Sequence, residues 1–267
     1  VTLSEPSSKA VTVDYASANG TATAGVDYVA VNGALTFAPG ETTKTITVPV
    51  NADTLDEEDE TFSVTLANAV NAVITDAAGT GAIIDDDLPP SLSIGDVTVV
   101  EGNIGTTNAS FQVVLSAPSG KVVTIDFATA DGTAAAPGDY TSASATLTFA
   151  PGETSKTVAV PINSDAVDEN DEAFTMTLAN AANATIARGQ AIGTIIDDDS
   201  PPVLGALVAA PGSLTVSWPI STRIFVLEIS ADLVIWQPVT DVTTEGNQHK
   251  ALIHTIASRG FLRLREP

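Results

Sequence analysis

Carboxylates are the side chains that this sequence sets out in a recurring, chemically usable pattern. Towards the middle and later part of the chain they stand at Glu101, at Asp139 in Pro-Gly-Asp-Tyr, in the run Asp165-x-x-Asp168-Glu169-x-Asp171-Glu172, and at Asp197-Asp198-Asp199. The first third repeats three of these groups as Asp27, Asp53-x-x-Asp56-Glu57-Glu58-Asp59-Glu60 and Asp85-Asp86-Asp87. A hard cation takes about six to eight oxygen ligands, from carboxylates, backbone carbonyls and water. The chain has no Cys, and only His249 and His254 offer imidazole. Zinc, copper and iron–sulfur sites are therefore poor fits, whereas an all-oxygen site suits calcium. Crowded acids repel: one like-charge contact at about 4 Å, with an effective dielectric near 20, amounts to about 4 kcal/mol. If the groups converge, they need a cation or proton uptake. The plain alternative is that these runs are solvated loops, as on the surface of a halophilic protein.

The charge distribution bears on that alternative. The formal net charge of −23 divides into −12 for residues 1–89, −11 for residues 90–202 and zero for residues 203–267. A halophilic surface would extend into the last block, and this one stops short of it. So negative a chain repels nucleic acid and anionic membranes. No apolar run approaches the ~18 residues of a bilayer span, and no signal-peptide pattern opens the chain. A secreted protein is thus expected here in processed form or as a fragment. With 44% hydrophobic residues and a mean hydropathy of +0.23, global disorder is excluded.

The elements that must position the acids come as two copies. A shift of 112 residues aligns Val1–Asp87 with Val113–Asp199 without a gap, and 50 of the 87 pairs are identical. Each copy ends in an Asp triplet, one linker residue and a proline pair, Pro89-Pro90 or Pro201-Pro202, which mark domain boundaries. Apolar and polar residues alternate at Val11–Tyr15, Leu35–Phe37, Thr45–Val48 and Phe62–Leu66. The second copy repeats this at Val123–Phe127, Leu147–Phe149, Val158–Val160 and Phe174–Leu178. Period two, with Asn19-Gly20, Asp131-Gly132 and two Pro-Gly turns between, predicts an all-β sandwich of about seven strands. The Ala-rich stretches Leu66–Ile74 and Leu178–Ile186 read as turn plus strand, because Asn68, Asn71, Asn180 and Asn183 interrupt any helix. The second copy also has a front end, with Ser91–Ile94 and Asp96–Glu101 expected as a first strand pair before Phe111–Leu115. The first copy has no counterpart of that front end. It is expected to expose an open edge, through truncation or because another chain supplies the strand.

These motifs resemble the Calx-beta domain, found in the calcium sensors of sodium–calcium exchangers and in bacterial surface and extracellular proteins. The carriers are Gly-x-Asp-Tyr (Pro-Gly-Asp-Tyr in the second copy), Leu-x-Phe-x-Pro-Gly-Glu-x-x-Lys, Asp-x-x-x-Glu-x-x-Glu-x-Phe and Gly-x-Ile-x-Asp-Asp-Asp, over residues 1–88 and 90–199. The resemblance implies an immunoglobulin-like sandwich with calcium held in loops at one end. The matching ligand positions are Glu101, Asp139, Asp165, Glu169, Glu172, Asp197, Asp198 and Asp199. In the first copy they are Asp27, Asp53, Glu57, Glu60, Asp85, Asp86 and Asp87. Ser164 and Ala52 stand where the exchanger pattern has a second Asp, and the first copy has no counterpart of Glu101. Fewer carboxylates imply weaker or fewer ions.

Residues 203–267 predict a third, small β module with strands at Ser213–Trp218, Arg223–Ile229, Ala251–Ile256 and Gly260–Arg265. Leu227–Val239 and Phe261–Arg265 resemble a C-terminal module of large secreted bacterial proteins, which implies attachment or end-capping. Trp218 and Trp236 are expected in its core rather than on a carbohydrate-binding platform. No nucleophile elbow, phosphate loop or HExxH helix is present, and His249 and His254 read as surface residues. The three sequons at Asn19, Asn108 and Asn183 are weak signals in so Thr/Ala-rich a chain.

The organisation expected is an incomplete Calx-beta-like domain at 1–89, a complete one at 90–202 and a β module at 203–267. The function expected is a non-enzymatic, calcium-stiffened spacer or adhesive segment of an extracellular or cell-surface protein, with Ca2+ as cofactor. Two alternatives stand beside it. One is a strand-exchanging subunit of a filament, with Gly260–Arg265 or an N-terminal extension as the donor. The other is a polysaccharide-binding appendage of a larger secreted enzyme.

Overall fold

The computed structural model describes residues 1–205, 208–210, 213–254 and 260–267, and every helix-or-strand element among them is a β-strand. The first unit holds β1 (Val11–Asn19), β2 (Asn32–Phe37), β3 (Glu60–Val70) and β4 (Ala78–Ile83), in one antiparallel sheet ordered β2-β1-β3-β4. The second unit holds β5 (Ser91–Ile94), β6 (Val97–Val100), β7 (Thr106–Leu115), β8 (Val123–Ala130) and β9 (Ser144–Phe149). It continues with β10 (Ser155–Asn163), β11 (Glu172–Ala182), β12 (Thr185–Arg188) and β13 (Gln190–Ile196). Nine strands, rather than about seven, make two sheets, β10-β7-β5-β12 and β6-β13-β11-β8-β9. Inward-facing residues of both sheets, among them Leu92, Phe111, Ile125, Phe149, Val160 and Phe174, form one buried core.

The expected pairing of Ser91–Ile94 with Asp96–Glu101 does not form. β5 pairs with β7 and β12, while β6 runs parallel to β13 in the other sheet. The chain crosses between sheets at residues 95–96, so these two short strands lie at different edges of the sandwich. The Ala-rich stretches are strand plus turn, as expected. Asn68, Asn71, Asn180 and Asn183 have φ of 52°, 63°, 54° and 58°, a left-handed conformation that asparagine tolerates better than most residues. The β8–β11 register shifts between Ala179 and Ala182, and the Asn183 amide donates to the Val122 carbonyl at 2.9 Å.

The two copies differ where β10 lies. Ser155–Asn163 is a full strand because it pairs along its length with β7, from Ser155↔Val114 to Asn163↔Thr106. The matching residues 43–51, expected to hold a strand at Thr45–Val48, form only the bridges Thr2↔Thr43 and Tyr28↔Val50. Val1–Leu3 aligns with the end of β7, and its ladder to this segment is the one pair Thr2↔Thr43. A strand without a neighbour has unpaired backbone groups and does not hold its geometry. The consequence reaches the core. The first unit has two small buried clusters, around Val11, Val13 and Phe37 and around Ala22, Tyr28 and Phe62. Between them lies an open groove of about 720 Å³, lined by Leu3, Val11, Phe37, Val48, Phe62 and Val64 among others.

The C-terminal unit holds β14 (Val208–Ala210), β15 (Ser213–Pro219), β16 (Val226–Ser230), β17 (Gln237–Pro238), β18 (Val242–Glu245), β19 (Gln248–His254) and β20 (Phe261–Arg265). The sheets are β14-β15-β19-β18 and β17-β16-β20, with Val216, Trp218, Leu227, Ala251 and Ile253 buried between them. The strand expected at Arg223–Ile229 begins at Val226, and residues 255–256 of the strand expected to reach Ile256 lie outside the described residues. Trp218 is buried, but Trp236 is only half-buried, with the Arg263 guanidinium 4.1 Å from its ring centroid. A cation over one face lets the indole stay partly wet without exposing a bare apolar plate. Gly260–Arg265 does not supply a spare donor strand, because β20 pairs with β16 from Phe261 to Arg265.

Candidate metal centre

The acids of the second sandwich are placed by aromatic packing beneath them. Tyr140 and Phe174 are fully buried and stack at 4.4 Å between centroids, 14° from parallel, with Phe111 edge-on to Phe174 at 5.8 Å. Gly193 lies against this stack: a β-carbon there would sit 2.6 Å from the Phe174 ring, so only glycine lets the ring lie flat on β13. Three acid-bearing segments are thus fixed at once. Asp139 adjoins Tyr140, Glu172 lies two residues before Phe174, and Asp197 follows β13 four residues after Gly193. The first unit repeats the device with Tyr28 and Phe62 stacked at 4.8 Å, and a β-carbon on Gly81 would come within 2.4 Å of the Phe62 ring.

Two carboxylate groups result. Glu101, Asp165 and Asp199 bring one oxygen each within 4.8 Å of one another, and Asp139, Glu169 and Glu172 do the same. Glu101 is 5% exposed, and its Oε1 is buried without a hydrogen-bond partner among the described residues. Asp197 Oδ1 and Asp199 Oδ2 are also buried and unpartnered. Asp198 is exposed, turned outward by the alternation of an extended chain, and accepts the Gly102 N–H at 3.0 Å. The loops are held by their own acids: Asp165 accepts the Val167 N–H at 2.8 Å and Asp139 the Ala135 N–H at 2.7 Å. Ser164, standing where the exchanger pattern has an Asp, donates its hydroxyl to the Glu101 carbonyl. It ties the Glu101 loop to the acidic run without adding charge.

In the first unit Asp27, Asp53, Glu57, Glu60, Asp85, Asp86 and Asp87 line one cleft of about 150 Å³. They share a site but crowd less, and among the described residues groups of three within 4.8 Å occur only in the second sandwich. Asp27 is 8% exposed and accepts the Thr23 N–H at 2.6 Å. Asp53 accepts the Leu55 N–H at 2.8 Å.

Two acids of the runs, absent from the expected ligand sets, do something else. Asp56 is 4% exposed and reaches the second sandwich: one carboxylate oxygen lies 2.8 Å from Lys121 Nζ and the other accepts the Ser119 hydroxyl at 3.1 Å. Asp168, also 4% exposed, accepts the Ser221 hydroxyl of the C-terminal unit at 2.9 Å, with Arg223 at 3.7 Å. Their identity in both copies was legible; their direction was not, because it depends on the neighbouring unit.

Burial and mutual repulsion favour the protonated form of these acids. Burial, then Asp165, Glu169, Asp197 and Asp199, pushes Glu101 up to about 7. Burial, then Asp139, pushes Glu172 up to about 7 as well. Burial and neighbouring acids also raise Glu169, Asp199, Glu57, Glu60 and Asp87. From about 4.5, the ordinary glutamate value, to about 7 the folded chain keeps protons that the unfolded chain has released. Stability must therefore fall as pH rises through that window. In chelator, the melting midpoint of the protein should rise when pH is lowered from about 8 to about 5.5. Glu101→Gln with Glu172→Gln should flatten this slope, and a midpoint that falls on acidification across the window refutes the account.

The family model of the Calx-beta domain matches residues 1–88 and 85–199. Sodium/calcium exchanger 2 of Rattus norvegicus is 34% identical over 181 residues, which cover 61% of this chain and 19% of the exchanger. Sodium/calcium exchanger 3 of Homo sapiens is 30% identical over 195 residues, covering 64% and 21%. The chain spans about a fifth of the length of these relatives. Among solved structures, the apo-form Calx CBD1 domain is 27% identical, with 41% of this chain and 98% of that one covered and a TM-score of 0.38. CBD12 from CALX1.2 is 22% identical, covers 73% of this chain and 90% of its own, and has a TM-score of 0.35. With both acidic units matched by the family model from end to end, the chain belongs to the Calx-beta domain family and carries two such domains in tandem.

Proposed function

We propose that the second sandwich, and more weakly the first, binds calcium, and that the chain is a non-enzymatic, calcium-stiffened spacer within a larger protein. The carrying observation is the pair of convergent carboxylate groups, Glu101–Asp165–Asp199 and Asp139–Glu169–Glu172, the first of which has buried oxygens on Glu101 and Asp199 that find no donor among the described residues. An all-oxygen, anionic donor set with flexible loop ligands fits calcium better than magnesium, whose smaller octahedral shell sheds water reluctantly. Glu101, Asp165, Asp197 and Asp199 would hold an ion on one side and Asp139, Glu169 and Glu172 on the other, each ion relieving the repulsion within its group. The exchanger relatives are named for calcium transport, which supports the reading. The tail's resemblance to modules of secreted proteins supports an extracellular or cell-surface setting. There, calcium modules work at about 10⁻⁴–10⁻³ M, a range suited to a thinned ligand set.

A second reading rests on the open groove of the first sandwich. A β-strand laid against residues 43–51 would pair their free backbone groups and cover Phe37, Phe62 and Val64, as β7 does in the second copy. A strand supplied by another chain would make a head-to-tail array.

Calcium should raise the melting midpoint of the chain relative to EDTA, because an ion bound only by the folded form adds about 2.7 kcal/mol at a hundredfold excess over Kd. Equal midpoints would sink the site assignment, and Glu101→Gln with Glu172→Gln should remove the difference. Small-angle scattering should show a longer, less variable molecule with calcium; an unchanged maximum dimension counts against the spacer role. For the second reading, a copy of residues 91–112 fused ahead of Val1 should suppress any self-association of the chain and raise its stability. Monomers of equal stability in both forms dispose of strand exchange.

A further inference from the structure

The two junctions between units are built on the same pattern, and the first sandwich carries it a third time without a partner. At the first junction the Ser119-Gly120-Lys121 turn grips Asp56. The Gly120 N–H and the Ser119 hydroxyl donate to the Asp56 backbone carbonyl at 2.9 and 3.2 Å, while Ser119 and Lys121 hold its carboxylate. Lys121 also lies 3.7 Å from Asp85 of the Asp triplet. At the second junction the Ser221-Thr222-Arg223 turn grips Asp168. The hydroxyls of Ser221 and Thr222 donate to its carbonyl at 2.7 and 3.4 Å, and Arg223 Nε donates to the Glu169 carbonyl at 3.0 Å. The C-terminal unit is not a Calx-beta repeat, yet it presents the same hydroxyl-plus-cation turn.

Shifting Ser119-Gly120-Lys121 by 112 residues gives Ser7-Ser8-Lys9, and the geometry follows the sequence. The backbone N–H of the basic residue donates to the serine hydroxyl at 3.0 Å in Lys9–Ser7, 3.0 Å in Lys121–Ser119 and 3.1 Å in Arg223–Ser221. A glycine N–H donates to the serine carbonyl at 2.9 Å in both sandwiches, Gly40 to Ser7 and Gly152 to Ser119. The turn is therefore preformed. The central position differs: a β-carbon on Gly120 would come within 2.7 Å of Glu57, whereas the first unit has Ser8. Thr222 shows that a hydroxyl residue fits there when it too donates to the gripped carbonyl. Ser119 and Asp56 are almost fully buried in their junction, whereas Lys9 and Ser8 are exposed, and Lys9 makes no ion pair among the described residues.

We propose that Ser7–Lys9 is a third docking socket, whose occupant is the aspartate of the acidic loop of a further Calx-beta sandwich. A second copy of this chain does not qualify unchanged, since its Asp56 and Asp168 are already gripped by their own neighbours. The charge agrees: each sandwich is strongly acidic, and Lys9 is one of only two cations in residues 1–89. The socket would order successive sandwiches head to tail, whether or not either holds calcium.

The test uses a zero-length carbodiimide, which joins a carboxylate to an amine only in contact. The unaltered chain should yield an Asp56–Lys121 link and none at Lys9. An extended chain, with residues 91–202 and then 91–112 placed ahead of Val1, should yield in addition a link from the added Asp168 to Lys9. That link should be comparable in yield to Asp56–Lys121 and lost on Asp168→Asn in the added copy. A folded extended chain that links Lys121 but not Lys9 overturns the proposal. Independently, Ser221→Ala with Arg223→Glu in the unaltered chain frees Asp168, and should produce Lys9–Asp168 links between chains at high concentration. Absence of those links also counts against the socket.

Discussion

Everything at the acidic end of the second sandwich rests on one apolar contact, the flat stack of Tyr140 on Phe174 over the bare α-carbon of Gly193. Stacked aromatics bury large areas in a fixed orientation, so the backbones that carry them lose freedom together. Here those backbones are the loop of Asp139, the start of β11 with Glu172 and the end of β13 with Asp197. The acids are held near one another by packing that does not depend on their charge. That is how carboxylates which repel can be kept converging at all.

The same reasoning explains why the acidic run has two readers. Asp165, Glu169 and Glu172 face the cluster, while Asp168 faces out of it towards Ser221 and Arg223. One loop therefore carries both a would-be cation shell and the contact to the next unit. Whatever orders the loop acts on the direction in which the chain continues. The Asp triplet adds to this: Asp171 accepts the Asp197 N–H, and Asp59 accepts the Asp85 N–H, so the exit of each sandwich is tied to its own acidic run.

The two copies form a natural experiment in what a strand requires. Residues 41–49 and 153–161 share Glu-Thr-x-Lys-Thr-x-x-Val-Pro, and their local propensities are nearly alike. The second is a strand paired along its length with β7, whereas residues 43–51 meet Val1–Leu3 at the single bridge Thr2↔Thr43. Thr45–Val48 thus has the alternation of a strand and, among the described residues, none of the ladder hydrogen bonds. The difference extends to residues far along the chain. Met176 is fully buried, while its counterpart Val64 is half-buried beside the groove.

Much of this protein is set by its sequence alone. Period-two alternation with Gly, Asn and Pro turns establishes an all-β chain, because side chains of a strand alternate faces and few other patterns satisfy that order. The 112-residue repeat establishes tandem units, and the recurrence of acids beside Tyr140, Phe174 and Gly193 and their first-copy equivalents marks the site. What the sequence left open is whatever depends on a partner distant in the chain. Tertiary structure decided that β5 and β6 lie in different sheets, that Asp198 faces outward, and that β20 is already paired. It also decided that Asp56 and Asp168 face the next unit rather than the cluster. Alternation tells which residues share a face, but not what that face will meet, since backbone pairing and charge neutralisation are completed only by groups that folding brings from elsewhere.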